Sequence, residues 1–264
     1  MNANTVLVSV KQTSAANTRT LFAFAGMVLG MRTSGTRERR RGEVNAALLA
    51  TAKKELAQVG AAGLSVRAVA REMGMAPSAL FRYISGRDEL LTLLIVDAYD
   101  DLGDHVEAAE AAVPRSDVRG RWRAIATSFH EWSVANPHEY ALLYGSPVPQ
   151  YHAPADQTTP SGTRVTNLLA ALGMEDPTPP PRPEFLHLPD ASQLRDLALA
   201  ADVPEMEGER LISGLLAWTT LVGAVSSELF EQLGEPVARL DTLFAAAVAL
   251  GEWLLFGADG RLPA

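Results

Sequence analysis

Residues 64 to 91 read LSVRAVAREMGMAPSALFRYISGRDELL and contain two short helical patterns separated by a few residues. Ser65 opens the first as a favourable N-cap, and apolar residues then recur at three- and four-residue steps. Gly74 can adopt the left-handed conformation that ends a helix, and Pro77 suits the first turn of a second helix that ends at Tyr83. Two helices joined by so sharp a turn are typical of a helix-turn-helix, whose second helix enters the DNA major groove.

The distribution of charge along the chain favours contact with DNA. The segment from Arg32 to Arg87 holds 11 Lys or Arg and 4 Glu, a net charge of +7. Residues 88 to 264 hold 10 basic and 27 acidic residues, a net charge of −17, and two basic residues precede Arg32, so the whole chain carries −8. A basic module attracts the phosphate backbone, whereas the acidic remainder repels it. The alternative, two amphipathic helices that only pack within an all-helical domain, does not explain this separation of charge.

The same stretch resembles the DNA-binding segment of the TetR family of transcriptional regulators. That family's pattern runs through a small-residue turn, an aromatic-rich recognition helix and a Lys before an acidic-Leu run, and SVRAVAREMGMAPSALFRYISGRDELL keeps this register. Arg87 stands at the usual Lys and Phe81 at the usual Tyr, while Tyr83 and Ser85 replace a common His and Pro. The resemblance implies an all-α fold with an N-terminal three-helix DNA-binding domain. A helical ligand-binding and dimerisation domain would follow it.

Candidate DNA contacts follow from docking the second helix in a groove. Arg82 is the best candidate for reading a guanine, because it has no role in a helix core. Residues 37 to 41, RERRR, open a long helix that is expected to end near Val59. Such runs of charge usually mark a solvated surface or a flexible arm. Beside a helix-turn-helix, however, the arginines favour contact with phosphate or the minor groove. Ser65, Arg67, Phe81 and Arg87 are candidates for contact with the DNA backbone. The full set of expected DNA-binding residues is Arg39, Arg40, Arg41, Ser65, Val66, Arg67, Ala76, Pro77, Ser78, Ala79, Phe81, Arg82, Tyr83 and Arg87.

Three segments are expected along the chain. Residues 1–31 are expected to be a disordered extension or a misassigned start, 32–87 the helix-turn-helix DNA-binding domain, and 88–264 the ligand-binding and dimerisation domain. Within the first, residues 21–31 (LFAFAGMVLGM) form an apolar run too short to span a bilayer. A signal-peptide core is the alternative, but the Ala-Phe-Ala tripeptide that resembles a cleavage site lies inside the run rather than after it.

The family resemblance places a ligand cavity among the helices of the second domain. Residues 88–112 read as a long helix that connects the two domains, and residues 118–135 carry aromatic side chains on one face, which suits a core or a cavity wall. Proline-rich residues 146–161 and 177–183 are expected to be loops, with a helix over 163–172 between them. A further short helix is expected over residues 193–201. The expected ligand is a small, apolar or aromatic molecule, and the expected ligand-binding residues are Trp122, Phe129, His130, Trp132, Tyr140, Tyr144 and Trp218.

Two long apolar patterns, over residues 205–233 and 237–256, close the chain. Each is apolar over more than one stripe, so each must be covered on two sides. The resemblance implies that these helices form a four-helix bundle across the two-fold axis of a homodimer. The AWTTLVGAV run is similar to a C-terminal subgroup named for a Trp-His-Gly signature, with Val222 in place of the His. The expected dimerisation residues are Leu215, Val222, Val225, Leu229, Leu243, Leu250 and Leu254.

Catalytic signatures are missing from the sequence. The chain has no cysteine, which rules out disulfides and thiolate metal sites and suits a reducing cytoplasm. His130-Glu131 and His138-Glu139 do not form H-E-x-x-H, and no nucleophile elbow or phosphate-binding glycine pattern is present. We therefore expect no catalytic residues, no metal and no cofactor. The expected function is that of a transcriptional repressor released from operator DNA by a ligand. A ligand-independent nucleic-acid-binding protein and an enzyme built on a helical bundle are the alternatives.

Overall fold

A computed structural model of the chain describes residues 19–175, 192–193, 195–196, 208–234 and 241–257, with side chains from residue 39 onward. Within these ranges the chain forms helices joined by turns, with no strand, which confirms the all-α class. The helices are α1 (Arg19–Gly63), α2 (Val66–Glu72), α3 (Pro77–Leu80), α4 (Arg87–Ala111), α5 (Val118–Ala135), α6 (Pro137–Tyr144), α7 (Ala155–Gly162), α8 (Arg164–Glu175), α9 (Gly208–Leu229) and α10 (Asp241–Phe256).

Helix α1 begins earlier than the arginine run suggests. It is helical from Arg19, within the segment expected to be an extension, whereas residues 1–18 lie outside the described residues. Residues 19 to 36 contain no Pro, and the Leu, Ala and Met of the apolar run are good helix formers. Near its end α1 breaks at Gly60, where φ is +67° and ψ is 173°. A residue with a Cβ rarely adopts this conformation, so the expected end of the helix near Val59 is set by a glycine.

The chain divides into two compact units at Leu48. In the first, Arg39 lies 3.8 Å from Glu43 one turn later along α1, in an exposed ion pair worth little stability. In the second, buried apolar residues run from the end of α1 through the helix-turn-helix to the start of α4. These buried residues are Ala52, Leu56, Leu64, Val66, Val69, Ala70, Leu80, Ile84, Leu90, Leu91 and Leu94.

The larger core lies among α4, α5, α6, α8, α9 and α10. Helix α4 packs against α5 and α7, and α9 packs along α10. Trp122, Phe129, Tyr140, Leu221 and Val225 are completely buried there. Helices α9 and α10 each pack against α5 on one side and against each other on another side. This double cover explains why residues 205–233 and 237–256 are apolar over more than one stripe.

One expected loop contains a helix. Residues 155–162 form α7 although Pro160 lies inside it, and only residues 146–154 remain irregular. Proline removes one N–H from the helix ladder, but α7 packs against α4, and this packing outweighs the weak local propensity. Helix α8 confirms the helix expected over 163–172. The proline-rich residues 177–183 lie outside the described residues, as does most of the expected helix over 193–201.

Candidate nucleic-acid interface and aromatic cluster

The turn between α2 and α3 is built by three local devices. The Oγ atom of Ser65 accepts a hydrogen bond from the Ala68 N–H at 3.5 Å, as an N-cap does. Gly74 follows α2 with φ +65°, and the N–H of Met75 donates to the carbonyl oxygen of Ala70 at 2.8 Å. Pro77 occupies the first turn of α3. These devices confirm the helix-turn-helix read from the sequence.

Helix α3 has a buried face and a solvent face. Leu80 and Ile84 are 0% and 2% exposed, whereas Phe81 is 47% exposed and Arg82 is also exposed. Regular α-helix ends at Leu80, and turns carry the chain on to Ile84, whose N–H donates to the carbonyl of Leu80. The solvent face carries the residues expected to meet DNA: Ala76, Pro77, Ser78, Phe81 and Arg82 are exposed, and Ala79 and Tyr83 are half-buried.

The other expected DNA contacts have different surroundings. Val66 is 7% exposed, because the first turn of α2 turns it inward with Val69; it lies in the core and not on the surface. Arg67 points outward and is exposed. Arg87 is half-buried, and its Nη2 atom donates to the carbonyl oxygens of Ala61 at 2.9 Å and Ala62 at 3.2 Å. Arg39, Arg40 and Arg41 are exposed on α1.

Helix α4 is tied on both sides by polar contacts. The Nζ atom of Lys53 in α1 lies 2.7 Å from the carboxylate of Asp97. Burial by itself lowers the pKa of Lys53, but the hydrogen bond and charge of Asp97 outweigh it and raise that pKa above the usual lysine value. On the other side, the hydroxyls of Thr92 and Tyr151 are 2.9 Å apart, which joins α4 to the loop after α6.

Four of the expected ligand-binding side chains form an aromatic cluster between α5, α6 and α9. The ring of Phe129 is centred 4.9 Å from Trp218, 5.7 Å from Tyr144 and 6.1 Å from Tyr140. Tyr99 of α4 joins them edge-on, 6.4 Å from Tyr144. The sequence reading missed Tyr99, although it lies four residues after Ile95 and three before Leu102, the inward spacing of α4.

The tyrosines of the aromatic cluster, Tyr99, Tyr140 and Tyr144, stay neutral. Burial raises the pKa of Tyr144 far above its usual value, and the neighbouring Tyr99 and Tyr140 raise it further. Burial likewise raises the pKa of Tyr99 and of Tyr140, the latter opposed in part by a hydrogen bond with Ser226. The cluster is therefore apolar, with a few uncharged hydroxyls.

The other expected ligand-binding residues have different partners. Trp122 is completely buried, and its Nε1–H donates to the carbonyl oxygen of Val248 at 2.9 Å. Trp132 donates its Nε1–H to Asp101 at 2.8 Å. His130 lies 2.7 Å from the carboxylate of Glu228 and stacks on the ring of Phe244 at 4.3 Å. These contacts bind α5 to α4, α9 and α10.

An arginine that the sequence reading did not single out joins α8 to α4. Arg164 donates to Glu107 at 2.7 Å and to Asp104 at 2.6 Å, and also to the carbonyl oxygen of Asp100. Its guanidinium passes over Gly103, where a Cβ would lie 2.6 Å from it. Nothing in the local sequence distinguishes this arginine from one on a solvated face. Among the described residues, no group of three or more His, Asp or Glu is arranged to hold a metal ion.

The expected dimerisation residues divide into exposed and buried sets. Leu215, Leu243 and Leu250 are 37%, 36% and 45% exposed. Val222, Leu229 and Leu254 are half-buried, and Val225 is completely buried within the chain. By length and composition alone, the helical segment Glu209–Leu229 could cross a membrane. In this structure, 28% of its most apolar 18-residue stretch is buried. Its apolar residues serve the core on one side and leave an apolar stripe on the other.

Comparison with known proteins covers both parts of the chain. A family model described as "Bacterial regulatory proteins, tetR family" matches residues 48–94, and one described as "Tetracyclin repressor-like, C-terminal domain" matches residues 122–250. The HTH-type transcriptional regulator Rv1816 of Mycobacterium tuberculosis is 39% identical over 204 residues, which cover 76% of this chain and 86% of that protein. The regulator Mb1846 of Mycobacterium bovis matches to the same extent.

Solved structures share the architecture. The regulatory protein SCO4313 is 30% identical, with a TM-score of 0.65 over 80% of this chain and 96% of its own. FadR from Bacillus subtilis, solved in complex with stearoyl-CoA, has a TM-score of 0.54 over 81% of this chain and 100% of its own; at 11% identity it shares the fold alone. Such relatives regulate transcription and are not enzymes. The chain therefore belongs to the TetR family of transcriptional regulators, as the helix-turn-helix geometry, both family models and the mycobacterial relatives show.

Proposed function

We propose that this protein is a cytoplasmic repressor. It binds a pseudo-palindromic operator as a homodimer, through α3 of each copy, and leaves the operator when a small, largely apolar molecule binds at the aromatic cluster. The observation that carries the proposal is the two-sided segment formed by α3 and the turn that follows it, which buries Leu80 and leaves Arg82 in solvent. A helix held this way can enter a major groove without unfolding its own domain.

In this proposal the DNA contacts divide into two kinds. Arg82 reads a base, because its guanidinium can donate two hydrogen bonds to guanine. Arg67, Ser65 and Phe81 meet the backbone and fix the register, and the basic residues 39–41 add phosphate or minor-groove contacts. The hydroxyl oxygen of Ser65 is occupied in capping α2, so only its proton is available to a phosphate.

Arg82→Ala tests the base-reading role. We expect it to weaken binding to the preferred operator by about 1 to 3 kcal/mol for each lost bidentate contact, one in each half-site, and to relax the base preference at one position of each half-site. The preferred operator is first selected from randomised duplexes, and affinities are then measured by fluorescence anisotropy on it and on single-base variants. Arg67→Ala is the control and should weaken every duplex equally. Equal weakening of all duplexes by Arg82→Ala would refute the role of Arg82.

The homodimer is supported by the exposed apolar stripe of α9 and α10. Leu215 and Leu250 are 37% and 45% exposed although each is a large apolar residue. A second copy would cover this stripe through a two-fold axis and place two copies of α3 on one side. Leu250→Glu should shift the protein to monomers in sedimentation velocity and reduce operator affinity. Val134→Glu is the matched control, because Val134 is 46% exposed on a different helix; equal effects of the two substitutions would refute the assignment.

The nature of the effector follows from the aromatic cluster. Phe129, Tyr144 and Trp218 offer ring faces and uncharged hydroxyls, which suit an apolar or aromatic molecule. Such a ligand can shift the protein to the state that does not bind DNA only as far as it binds that state more tightly than the DNA-binding state.

Thermal shift across a panel of apolar and aromatic compounds, paired with operator binding, tests the effector proposal. A compound that stabilises the protein should also weaken operator binding, and Trp218→Leu should remove both effects. Val134→Ala, at an exposed site on α5, should change neither. Stabilisation without a change in operator affinity would count against release by a ligand.

A regulator that needs no ligand is the second candidate, and one observation favours it. The rings of the aromatic cluster pack on one another, with centroids as close as 4.9 Å, as the side chains of a core do. If no compound in the panel stabilises the protein while operator binding persists, this second candidate replaces the first.

A further inference from the structure

Arg87 connects two chain segments on opposite sides of the helix-turn-helix. It is the first residue of α4, and its Nη2 atom donates to the carbonyl oxygen of Ala61 at 2.9 Å and to that of Ala62 at 3.2 Å. These acceptors precede it by 26 and 25 residues. The two ends of the segment that contains α2 and α3 are therefore joined through one side chain.

The carbonyl oxygens that Arg87 meets need such a partner. Helix α1 ends at Gly63, so the carbonyls of Ala61 and Ala62 lack the N–H groups that a continuing helix would supply. Ala61 receives one further hydrogen bond, from the N–H of Leu64 at a long 3.4 Å. A cation at a helix C-terminus also interacts favourably with the helix dipole.

The other side of the contact is held in place as well. Before α4, the N–H of Ser85 donates to the carboxylate of Glu89 at 2.5 Å, which ties the residue before the N-cap Gly86 to the first turn of the helix. Hydrogen bonding from Ser85 lowers the pKa of Glu89, so this carboxylate stays charged at neutral pH. Arg87 thus extends from a fixed helix start, and its guanidinium is directed into the protein.

We propose that Arg87 is a positioning residue for DNA binding: it holds the helix-turn-helix at a set angle to α4 and does not itself contact phosphate. A cation at this position was expected from the sequence to meet the DNA backbone, but here its guanidinium is engaged by two carbonyl oxygens of its own chain. Because α4 carries the connection to the ligand-binding domain, the angle at Arg87 also sets how movement of α4 reaches α3. This inference rests on the proposed binding of DNA through α3.

The salt dependence of operator binding distinguishes a positioning residue from a phosphate contact. Removing a cation that neutralises one phosphate reduces the slope of log affinity against log salt by about 0.9. A substitution in the homodimer removes one such cation from each copy, so loss of a phosphate contact would reduce the slope by about 1.8. Arg87→Ala should therefore weaken binding by about tenfold at every salt concentration between about 50 and 300 mM, with the slope unchanged. Arg67→Ala, on the exposed face of α2, is the matched control whose slope should fall.

Arg87→Lys separates the two roles again. A lysine binds phosphate well but offers a shorter, single-point donor to the two carbonyls. Positioning by Arg87 predicts that Arg87→Lys binds the operator severalfold more weakly with an unchanged slope, whereas a phosphate contact predicts an affinity close to that of the unsubstituted protein. This variant also decides the question if Arg87→Ala fails to fold.

Three results would overturn the inference. These are a slope reduced by about 1.8 in Arg87→Ala, an unchanged affinity in Arg87→Lys, and a lowered Tm in Arg87→Ala with unchanged affinity of the folded protein, which would leave only a role in folding. If the unsubstituted protein binds no duplex at all, it is the proposed function that fails instead.

Discussion

Replacing Arg121 by Met tests an ion pair buried between α4 and α5. The side chains of Arg121 and Glu110 are 1% and 3% exposed, and a guanidinium nitrogen lies 2.5 Å from the carboxylate. Arg121 also bonds Glu175 at the end of α8, while Arg115 reaches the same carboxylate oxygen of Glu110 at 2.7 Å from the solvent side. Three helices therefore meet at this arginine.

The loss of stability expected for Arg121→Met depends on how well the remaining charge of Glu110 is still paired. Removing one partner of a buried ion pair costs about 3 to 5 kcal/mol, because the other charge is left without compensation. Arg115 keeps one charged hydrogen bond to Glu110, so we expect the lower end, about 3 kcal/mol. At about 2 to 4 °C per kcal/mol, Tm should fall by on the order of 10 °C. The double variant Arg121→Met with Glu110→Leu should recover most of this stability, since apolar side chains can replace a buried pair at little cost.

Urea denaturation at one fixed protein concentration measures these changes, because the stability of a dimer depends on its concentration. The three proteins are compared by their midpoints, with slopes checked for equality. A cost below about 1 kcal/mol for Arg121→Met would refute the reasoning. So would a double variant as unstable as the single one, since the destabilisation would then come from packing and not from the unpaired charge.

Three further substitutions test the packing and the pH dependence. Gly251→Ala should cost about 1 to 3 kcal/mol in thermal unfolding, because a Cβ there would lie 2.2 Å from the buried ring of Trp122; an unchanged Tm contradicts this packing. Tyr140→Phe removes the hydroxyl bonded to α9 and should cost about 1 kcal/mol in a urea titration. Glu89→Gln should destabilise at neutral pH, since hydrogen bonding from Ser85 lowers the folded-state pKa of Glu89. The stabilisation by ionised Glu89 is present above the unfolded-state pKa of about 4.3 and is lost as the pH falls through the lower folded-state pKa. The difference in unfolding free energy between the variant and the unsubstituted protein should therefore shrink on acidification, and a constant difference would argue against this role.

Local devices made the DNA-binding domain predictable. Ser65, Gly74 and Pro77 act through the backbone within four residues of themselves, so their positions alone placed the turn. Val66 shows the limit of this reasoning. It was counted among the expected DNA contacts, yet the helical repeat turns it inward with Val69.

The aromatic cluster was predictable only in part. Phe129, Tyr140, Tyr144 and Trp218 come from three helices, and the family resemblance rather than the periodicity placed them together. The same stripe of α5 also carried Trp122, which the close approach of Gly251 directs into a different part of the core. A row of apolar residues shows which face of a helix is buried. The neighbour that each ring meets, however, depends on where other helices cross that face.

The amino-acid sequence by itself determined the all-α class, the helix-turn-helix and the basic character of the segment that carries it, because helix caps, periodicity and charge act over a few residues. Tertiary structure alone decided the partners of Arg87, Arg121 and Arg164. Each meets groups that lie 11 to 64 residues away in the chain, such as Ala61, Glu110 and Asp100. A guanidinium on a helix looks the same in sequence whether it faces water, DNA or a carboxylate, and only the packing of the helices selects among them.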